Sequence, residues 1–208
     1  MLCPLCSENA EHFYTKKNRK YFYCSTCTSI FLDSANYVDA TTEKQVYETH
    51  VNNPEDSRYQ NFVSPLVNGV LENFNTSDKG LDYGSGTNSA IVKMLRDKSY
   101  NIIEFDPYFA NNPKVLKDKY NYITCCEVME HFYFPKKEFE KLYQLLLPKG
   151  KLFCKTDLFS EDKNFDTWYY KEDPTHVFLY TPRTIAWIAK NIGFSNFYID
   201  GRLIVFEK

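Results

Sequence analysis

The sequence lacks the features that would place the protein in or across a membrane. No apolar run approaches the roughly 18 residues that a membrane-spanning helix needs, and the first residues lack the charged and apolar regions of a secretory signal. A formal net charge of −2 gives no general attraction to phosphate backbones. We therefore expect a cytoplasmic protein without a membrane partner, and we do not expect nucleic acid as its partner.

Internal repeats and low-complexity segments are also missing. The 208 residues are 43% hydrophobic and 25% charged, which is the composition of an ordinary globular protein and not of a disordered chain. A chain of this length can bury one sizeable core and carry a small additional module. The sequence does not predict the oligomeric state.

Four of the seven cysteines form an ordered pattern. Cys3-x2-Cys6 and Cys24-x2-Cys27 have the spacing of a zinc ribbon, in which two tight turns each supply two thiolates. Four sulfurs leave no open position, so such a zinc ion is structural. The other three cysteines lie in apolar segments, where we assign them no chemistry. They are Cys125, Cys126 and Cys154.

One small basic cluster lies within the ribbon, and we interpret it as a solvated loop. It consists of Lys16, Lys17, Arg19 and Lys20. The alternative is that these cations hold the phosphates of an RNA substrate, which would make RNA binding steeply salt-dependent.

A glycine turn followed by an acidic residue predicts a nucleotide-type ligand. Gly84 and Gly86 allow a tight turn with main-chain N–H groups close to a ligand, and Asp106 can accept hydrogen bonds from a ribose. A dinucleotide-binding turn would have a third glycine where this chain has Ser89, and it does not usually carry an acid at the position of Asp82. Both departures favour a different ligand.

This pattern resembles the first two motifs of class I S-adenosylmethionine (SAM) dependent methyltransferases. The resemblance implies that the turn lies against the methionine part of SAM and that Asp106 binds the ribose hydroxyls. Asn88 departs from the small residue that the family often has in the turn. The cofactor-binding residues implied by the resemblance are Asp82, Gly84, Ser85, Gly86, Asp106 and Glu127.

Strand-like and helix-like segments alternate from residue 79 onwards, which predicts an α/β fold with a Rossmann-like parallel sheet. Too few residues lie between Asp106 and the predicted strand 122–126 for the family's third strand and its helices, so we expect that edge to be truncated. Two terminal strands predict the closing antiparallel hairpin of the methyltransferase family. The predicted strands are 81–83, 101–105, 122–126, 151–156, 194–199 and 202–206, and the predicted helices are 55–74, 88–97 and 184–192, with a further apolar helical stripe that ends at 148–150.

The domain organisation follows from these patterns. We predict a zinc-ribbon-like module at 1–36, a helical linker at 37–78 and a methyltransferase domain at 79–208. The ribbon is expected to have a core separate from that of the later strands, so that chelation would loosen only its own residues.

Glu127, Glu130 and His131 follow the predicted strand 122–126 and, if a helical turn begins there, project from one side. With His176 they could hold Mg²⁺ or a similar ion. The pattern resembles the metal site of ubiquinone-biosynthesis O-methyltransferases and small-RNA 2′-O-methyltransferases. Alternatively these residues only pack beside the site, with His131 still a candidate general base. The candidate catalytic residues are His131, Glu127, Glu130 and His176.

Residues 157–180 form an aromatic and charged insertion where this family builds substrate pockets. The chain as a whole resembles bacterial methyltransferases with an N-terminal cysteine-rich module, some of which modify nucleotide sugars. We therefore predict SAM-dependent O-methylation of a small hydroxylated acceptor, such as a sugar or a nucleotide-linked molecule. The alternatives are RNA methylation and a non-catalytic zinc-ribbon interaction module on a degenerate methyltransferase fold.

Overall fold

The structure is a computed structural model that describes residues 1–49 and 53–208. Its strands are β1 (Glu11–Lys16), β2 (Arg19–Tyr23), β3 (Ile30–Leu32), β4 (Lys79–Tyr83), β5 (Asn101–Phe105), β6 (Tyr120–Cys126), β7 (Leu146–Lys155), β8 (Phe178–Leu179), β9 (Asn196–Asp200) and β10 (Leu203–Glu207). Its α-helices are α1 (Ala40–Thr49), α2 (Ser57–Asn73), α3 (Ala90–Arg96), α4 (Pro135–Leu145) and α5 (Pro182–Ile192).

A six-stranded sheet in the order β5-β4-β6-β7-β10-β9 forms the centre of the molecule. The first four of these strands are parallel, and β10 runs antiparallel to both β7 and β9. This order confirms the predicted Rossmann-like sheet and its closing hairpin. Strand β5 is the edge, and the fully described residues 106–119 contain a short 3-10 helix (Pro113–Lys117) but no further sheet strand, so the truncation is confirmed.

Helices α2 and α3 cover one face of the sheet with the apolar side chains that their helical spacing predicts. Val63, Leu66 and Leu95 are fully buried there. Pro65 lies inside α2, and the helix continues through it. The predicted end of the fourth helix at 148–150 is wrong, because α4 ends at Leu145 and these residues lie within β7.

The cysteine-rich module shares its sheet with the insertion. Strand β3 pairs with β8, with Ile30 opposite Leu179 and Phe31 opposite Phe178, in a four-stranded sheet of order β1-β2-β3-β8. The buried side chains of the module also belong to the same apolar cluster as those of the large sheet. The expected separate core is therefore wrong, because a module this small buries its apolar face against the rest of the chain.

None of the helices in the two described stretches is both long enough and apolar enough to cross a membrane.

Candidate active site

A cavity of about 780 Å³ opens at the carboxyl ends of β4, β5 and β6. Ligands of parallel α/β sheets bind at this edge, and the volume is in the range of small-molecule pockets. Most of the residues predicted for the site reach its wall. They are Asp82, Gly84, Ser85, Gly86, Asp106, Glu127, His131 and His176.

The glycine turn lies where main-chain groups face the cavity. Gly84 and Gly86 have φ angles of 78° and 60°, which side chains rarely tolerate. A Cβ atom on Gly84 would lie 2.4 Å from Cγ2 of Val128. The two glycines are therefore required by backbone conformation, and Gly84 also by the close approach of the segment that follows β6.

Asp82 is buried beside this turn and joins three elements. Its carboxylate accepts hydrogen bonds from Ser89 Oγ and Thr124 Oγ1, both at 2.6 Å. Ser89 also caps the first turn of α3 through the backbone N–H of Val92. Burial raises the pKa of Asp82 to about 6. Asp82 thus ties β4 to α3 and β6 at the cavity wall.

Asp106 fixes the loop after β5 against the glycine turn. Its Oδ2 accepts from the backbone N–H of Gly86 at 2.9 Å, and its Oδ1 accepts from those of Tyr108 at 2.8 Å and Phe109 at 3.0 Å. A carboxylate has about four lone-pair sites, so it can accept a further hydrogen bond from a ligand in the cavity.

Glu127 follows β6 with a left-handed φ of 52°, an unusual conformation for this residue type. Arg202 Nη2 donates to both of its carboxylate oxygens, at 2.8 and 2.7 Å, and Tyr170 OH donates at 3.2 Å. Burial, together with the nearby Glu130, raises the pKa of Glu127 to about 7, while Arg202 opposes that rise. The structure therefore pairs Glu127 with an arginine.

Glu130, His131 and His176 come together within 4.8 Å, as measured between one potential ligand atom of each. Nδ1 of His131 lies 3.0 Å from the carbonyl oxygen of Thr175, and Nδ1 of His176 lies 2.6 Å from that of Tyr170. Because a carbonyl oxygen only accepts, Nδ1 carries the proton in both rings and Nε2 has the free lone pair.

Burial keeps both imidazoles neutral. It lowers the pKa of His131 and, with the neighbouring His131, lowers that of His176 to about 3. Neutral rings can act as a base or as metal ligands. Glu130 is fully buried, bonded to Tyr170 and Thr156, and it does not line the cavity, contrary to the expectation that all four residues face it.

The chemistry of the possible ligands decides which ion this cluster fits. Magnesium prefers oxygen ligands, whereas two imidazoles and one carboxylate are typical of Mn²⁺, Fe²⁺ or Zn²⁺ sites. Glu127 lies outside the cluster, since both of its oxygens bind Arg202. The donor set thus gives the Mg²⁺ hypothesis no support.

The insertion also supplies part of the cavity wall. Tyr169, Tyr170, Asp173 and His176 line it, and Tyr169 is 63% exposed at its mouth. Asp157 follows β7 at the same edge of the sheet, but it binds Lys163 Nζ at 2.6 Å and Trp168 Nε1 at 2.8 Å within the insertion. Its role is to hold the insertion together.

Helix α1, predicted only as part of a linker, also lines the cavity. Glu43 is buried and its carboxylate accepts from the hydroxyl groups of Tyr47 and Tyr108, both at 2.8 Å. These bonds hold α1 against the loop that follows Asp106. Sequence reasoning missed the contact between Glu43 and Tyr108, because these residues are 65 positions apart and neither belongs to a motif.

The four cysteines of the ribbon pattern come together away from this cavity. Their sulfur atoms lie within 4.8 Å of one another, with Cys3 to Cys27 at 3.5 Å and Cys6 to Cys24 at 3.4 Å. Tetrahedral zinc with bonds of about 2.3 Å would place sulfur atoms about 3.8 Å apart. The cluster therefore fits a four-thiolate zinc site.

The two cysteine turns also repeat one backbone geometry. Ser7 and Thr28 each follow the second cysteine with φ angles of 64° and 57°, and each donates its backbone N–H to the carbonyl of the first cysteine, at 2.9 and 2.7 Å. Two matched turns that aim four thiols at one point support the zinc-ribbon interpretation.

Two of the four cations of the basic cluster are not free. Lys16 bonds the insertion at Glu172, and Arg19 bonds three of its backbone carbonyls. The solvated-loop interpretation is therefore wrong for these two residues, while Lys17 and Lys20 are exposed.

The comparison with protein families decides the affiliation of the chain. The family model described as a methyltransferase domain matches residues 56–198, which is more than half of the sequence. The chain belongs to the methyltransferase domain family. No curated protein sequence matches it.

Solved methyltransferases share the fold at low sequence identity. A SAM-dependent enzyme from Archaeoglobus fulgidus is 14% identical (TM-score 0.57), over 72% of this chain and 94% of its own. Human N-acetylserotonin methyltransferase in complex with SAM is 17% identical (TM-score 0.54), over 72% of this chain and 53% of its own, so this chain spans about half of that enzyme's length. The 1,6-didemethyltoxoflavin-N1-methyltransferase of Burkholderia thailandensis is 12% identical (TM-score 0.53), over 96% and 99%.

These likenesses establish the fold, which is that of class I SAM-dependent methyltransferases. Within this methyltransferase, sequence reasoning missed Arg202, the partner of Glu127. The only signal in the sequence was its position at the start of the predicted last strand, next to the turn of the terminal hairpin.

Proposed function

We propose that this methyltransferase binds SAM in the cavity and transfers its methyl group to an oxygen of a small hydroxylated acceptor. One observation carries the proposal: the glycine turn and Asp106, which we assign to the donor, line the same cavity as His131, His176 and Glu127, which we assign to the acceptor. When bound, SAM supplies an electrophilic methyl group on a sulfonium.

The chain's own residues would orient the two reactants. The N–H groups of the glycine turn would face the amino-acid part of the donor, and the remaining acceptor position of Asp106 would take a ribose hydroxyl. The cavity would align the acceptor oxygen for in-line displacement at the methyl carbon, with S-adenosylhomocysteine (SAH) as the leaving group. Proximity is the main contribution of the protein to such a displacement.

His131 is our candidate for the base that takes the acceptor's proton. Its Nδ1–H is directed to the carbonyl of Thr175, which leaves the Nε2 lone pair free, and its lowered pKa keeps the ring in the basic form at neutral pH. His176 and Glu130 lie beside it. A metal ion held by these three residues is the alternative use of the same geometry.

The aromatic wall favours a small polar acceptor. Tyr169 presents an exposed ring and its hydroxyl, Tyr170 adds part of its ring, and Asp173 adds a carboxylate, which together suit a sugar or another polyhydroxylated molecule. The RNA alternative is weakened, because Lys16 and Arg19 are already bonded to the insertion.

We also propose that the four cysteines hold one structural zinc ion. The donor set and the sulfur distances support it, and closure by four thiolates excludes a catalytic role for that ion.

The decisive experiment for the donor is a calorimetric titration with SAM, SAH and NAD. SAM and SAH should bind and NAD should not; binding of NAD alone would overturn the proposal. Incubation of the enzyme with ¹³C-methyl-labelled SAM and a metabolite extract should then yield one labelled product, whose methyl carbon shift distinguishes O-methyl from N-methyl. Transfer to RNA instead would favour the RNA methyltransferase alternative. Binding of a protein partner that requires the ribbon, without SAM binding, would favour the non-catalytic interaction module.

A further inference from the structure

The acceptor-side wall of the cavity is held by a side chain of the cysteine-rich module. Arg19, at the start of β2, donates from Nη1 to the carbonyl oxygens of Lys171 at 3.0 Å and Glu172 at 3.3 Å, and from Nη2 to that of Asp173 at 3.0 Å. Its guanidinium also lies 5.6 Å from the centre of the Tyr21 ring. One planar group thus fixes three consecutive peptide units of the insertion.

Further bonds from the same hairpin reach the same segment. Tyr21 OH donates to the carbonyl of Lys171 at 3.0 Å, and Tyr14 OH bonds Asp166. The Phe165 ring packs edge-on against Tyr14 and Tyr21, with centroids 5.1 and 5.4 Å apart. The hairpin and the insertion therefore form one packed unit.

The three carbonyls held by Arg19 lie between the residues that face the reaction centre. Tyr170, immediately before them, bonds Glu127 and Glu130 through its hydroxyl and His176 through its carbonyl. Thr175, two residues after the last of them, accepts from Nδ1 of His131 through its carbonyl oxygen. Any shift of this segment would move Tyr170 and the orientation of both histidines together.

We infer that Arg19 is a positioning residue for the methyl acceptor: from within the cysteine-rich module it sets the wall on which the acceptor lies, while the donor wall is independent of it. This inference rests on the proposed methyl transfer. Arg19 bonds the insertion and lies against Tyr21, whereas the glycine turn is fixed by Asp106 and the carbonyl of Phe105. The cysteine-rich module is then part of the acceptor site and not an appendage.

The test compares Arg19→Ala with Lys20→Ala, which removes the same charge from the next position of the strand, where the side chain is exposed. Three quantities are measured: the Kd for SAH, hydrogen exchange of residues 168–176 in the SAH complex, and the amount of metabolite extract that half-saturates methyl transfer. Arg19→Ala should leave the SAH Kd within about threefold and raise the half-saturating amount about tenfold or more, since a displacement of about 1 Å can cost about 100-fold. Exchange of 168–176 should accelerate.

Millimolar guanidinium chloride should partly restore Arg19→Ala and leave Lys20→Ala unchanged, because the free ion can occupy the vacated position between Tyr21 and the carbonyls. Arg19→Lys should retain little of the wild-type acceptor affinity, since one ammonium group cannot reproduce the bonds that both terminal nitrogens of the guanidinium make. If Arg19→Ala does not fold, Tyr21→Phe removes one bond to the same carbonyl and should act in the same direction more weakly.

Wild-type exchange and wild-type half-saturation in Arg19→Ala would overturn the inference, and so would a loss of SAH affinity as large as the loss of acceptor affinity. Failure of the proposed function looks different. The wild type would then bind no SAH or methylate nothing, whereas exchange of 168–176 in the variant would still report whether Arg19 holds the wall.

Discussion

Arg202 Nη2 lies 2.8 and 2.7 Å from the two carboxylate oxygens of Glu127, so the turn of the last hairpin neutralises the acid that follows β6. Both side chains are 28% exposed. The guanidinium lies between the rings of Phe62 and Tyr170, with its carbon 5.6 and 5.4 Å from the two ring centres. These contacts join α2, the insertion, the segment after β6 and the turn between β9 and β10.

Removal of this arginine should leave a largely buried carboxylate without its counter-charge. We expect Arg202→Met to lower the free energy of unfolding at pH 7 by about 1–3 kcal/mol, the range of a partly solvated pair. Glu127→Gln in the same background should recover part of the loss. Chemical denaturation of the two single variants and the double variant measures the coupling. Additive effects would show that the pair contributes nothing.

Gly84 offers a test of the donor wall. Gly84→Ala should weaken SAH binding by about tenfold or more, since φ is positive there and the new Cβ would collide with Val128. Gly201 is the matched control, because its φ is 56° but a Cβ would meet nothing within 4 Å. Calorimetry should find Gly201→Ala close to wild type, and adding Val128→Ala should partly rescue Gly84→Ala. Equal effects of the two glycine substitutions would refute the role of the collision.

Metal analysis of freshly reduced protein should find about one zinc per chain. Cys6→Ser should lose it, whereas Cys126→Ser, outside the cluster, should retain it. Because β3 pairs with β8, removal of zinc should accelerate hydrogen exchange in residues 157–180 as well as in the module itself. Hydrogen exchange that increases only in residues 1–31 would show that the loss of zinc does not affect the insertion through the shared sheet.

His131 as a base predicts a specific kinetic pattern. His131→Gln should lower kcat about 100-fold or more with the SAH Kd unchanged, because general bases contribute about 10²–10⁴-fold. Glu130→Gln should cost less, and added Mn²⁺ or Mg²⁺ should have no effect. If instead Glu130→Gln is equally damaging, and Mn²⁺ restores metal-stripped wild type, the cluster is a metal site.

Asp82 should make stability depend on pH below neutrality. Its pKa is raised to about 6, against about 3.9 in an unfolded chain, so between these values the folded state keeps a proton that the unfolded chain releases. Its contribution to stability therefore decreases as pH rises from about 4 to about 6. Relative to wild type, Asp82→Asn should gain about 2–3 kcal/mol over this range, as measured by urea unfolding at several pH values. A constant difference would contradict the raised pKa.

Local patterns predicted most of the fold. The spacing of buried residues such as Ile91 and Leu95 located α3, and the turn at Gly84 and Gly86 located the end of β4. The missing third strand could be predicted from the small number of residues between Asp106 and the next strand. These features depend on residues close together in sequence, where periodicity and turn chemistry act directly.

The candidate site was only partly predictable. The sequence located Asp82, Asp106, His131 and His176 at the cavity, since each lies at or after the carboxyl end of a strand or in the insertion. It could not show that Glu130 is buried away from the cavity, because the turn after β6 is a 3-10 helix (Met129–His131) preceded by the left-handed Glu127, and not the regular helical turn that the spacing suggested.

By itself the sequence determined the α/β order, the glycine turn, the acid after β5 and the four-cysteine pattern, all of which are set by local conformation and spacing. Only the tertiary structure decided which distant groups meet: Arg202 with Glu127, Glu43 with Tyr108, and Arg19 with the carbonyls before His176. The reason is physical. A buried or half-buried polar group must find a partner, and which partner it finds depends on how the elements pack and not on any property of its own segment.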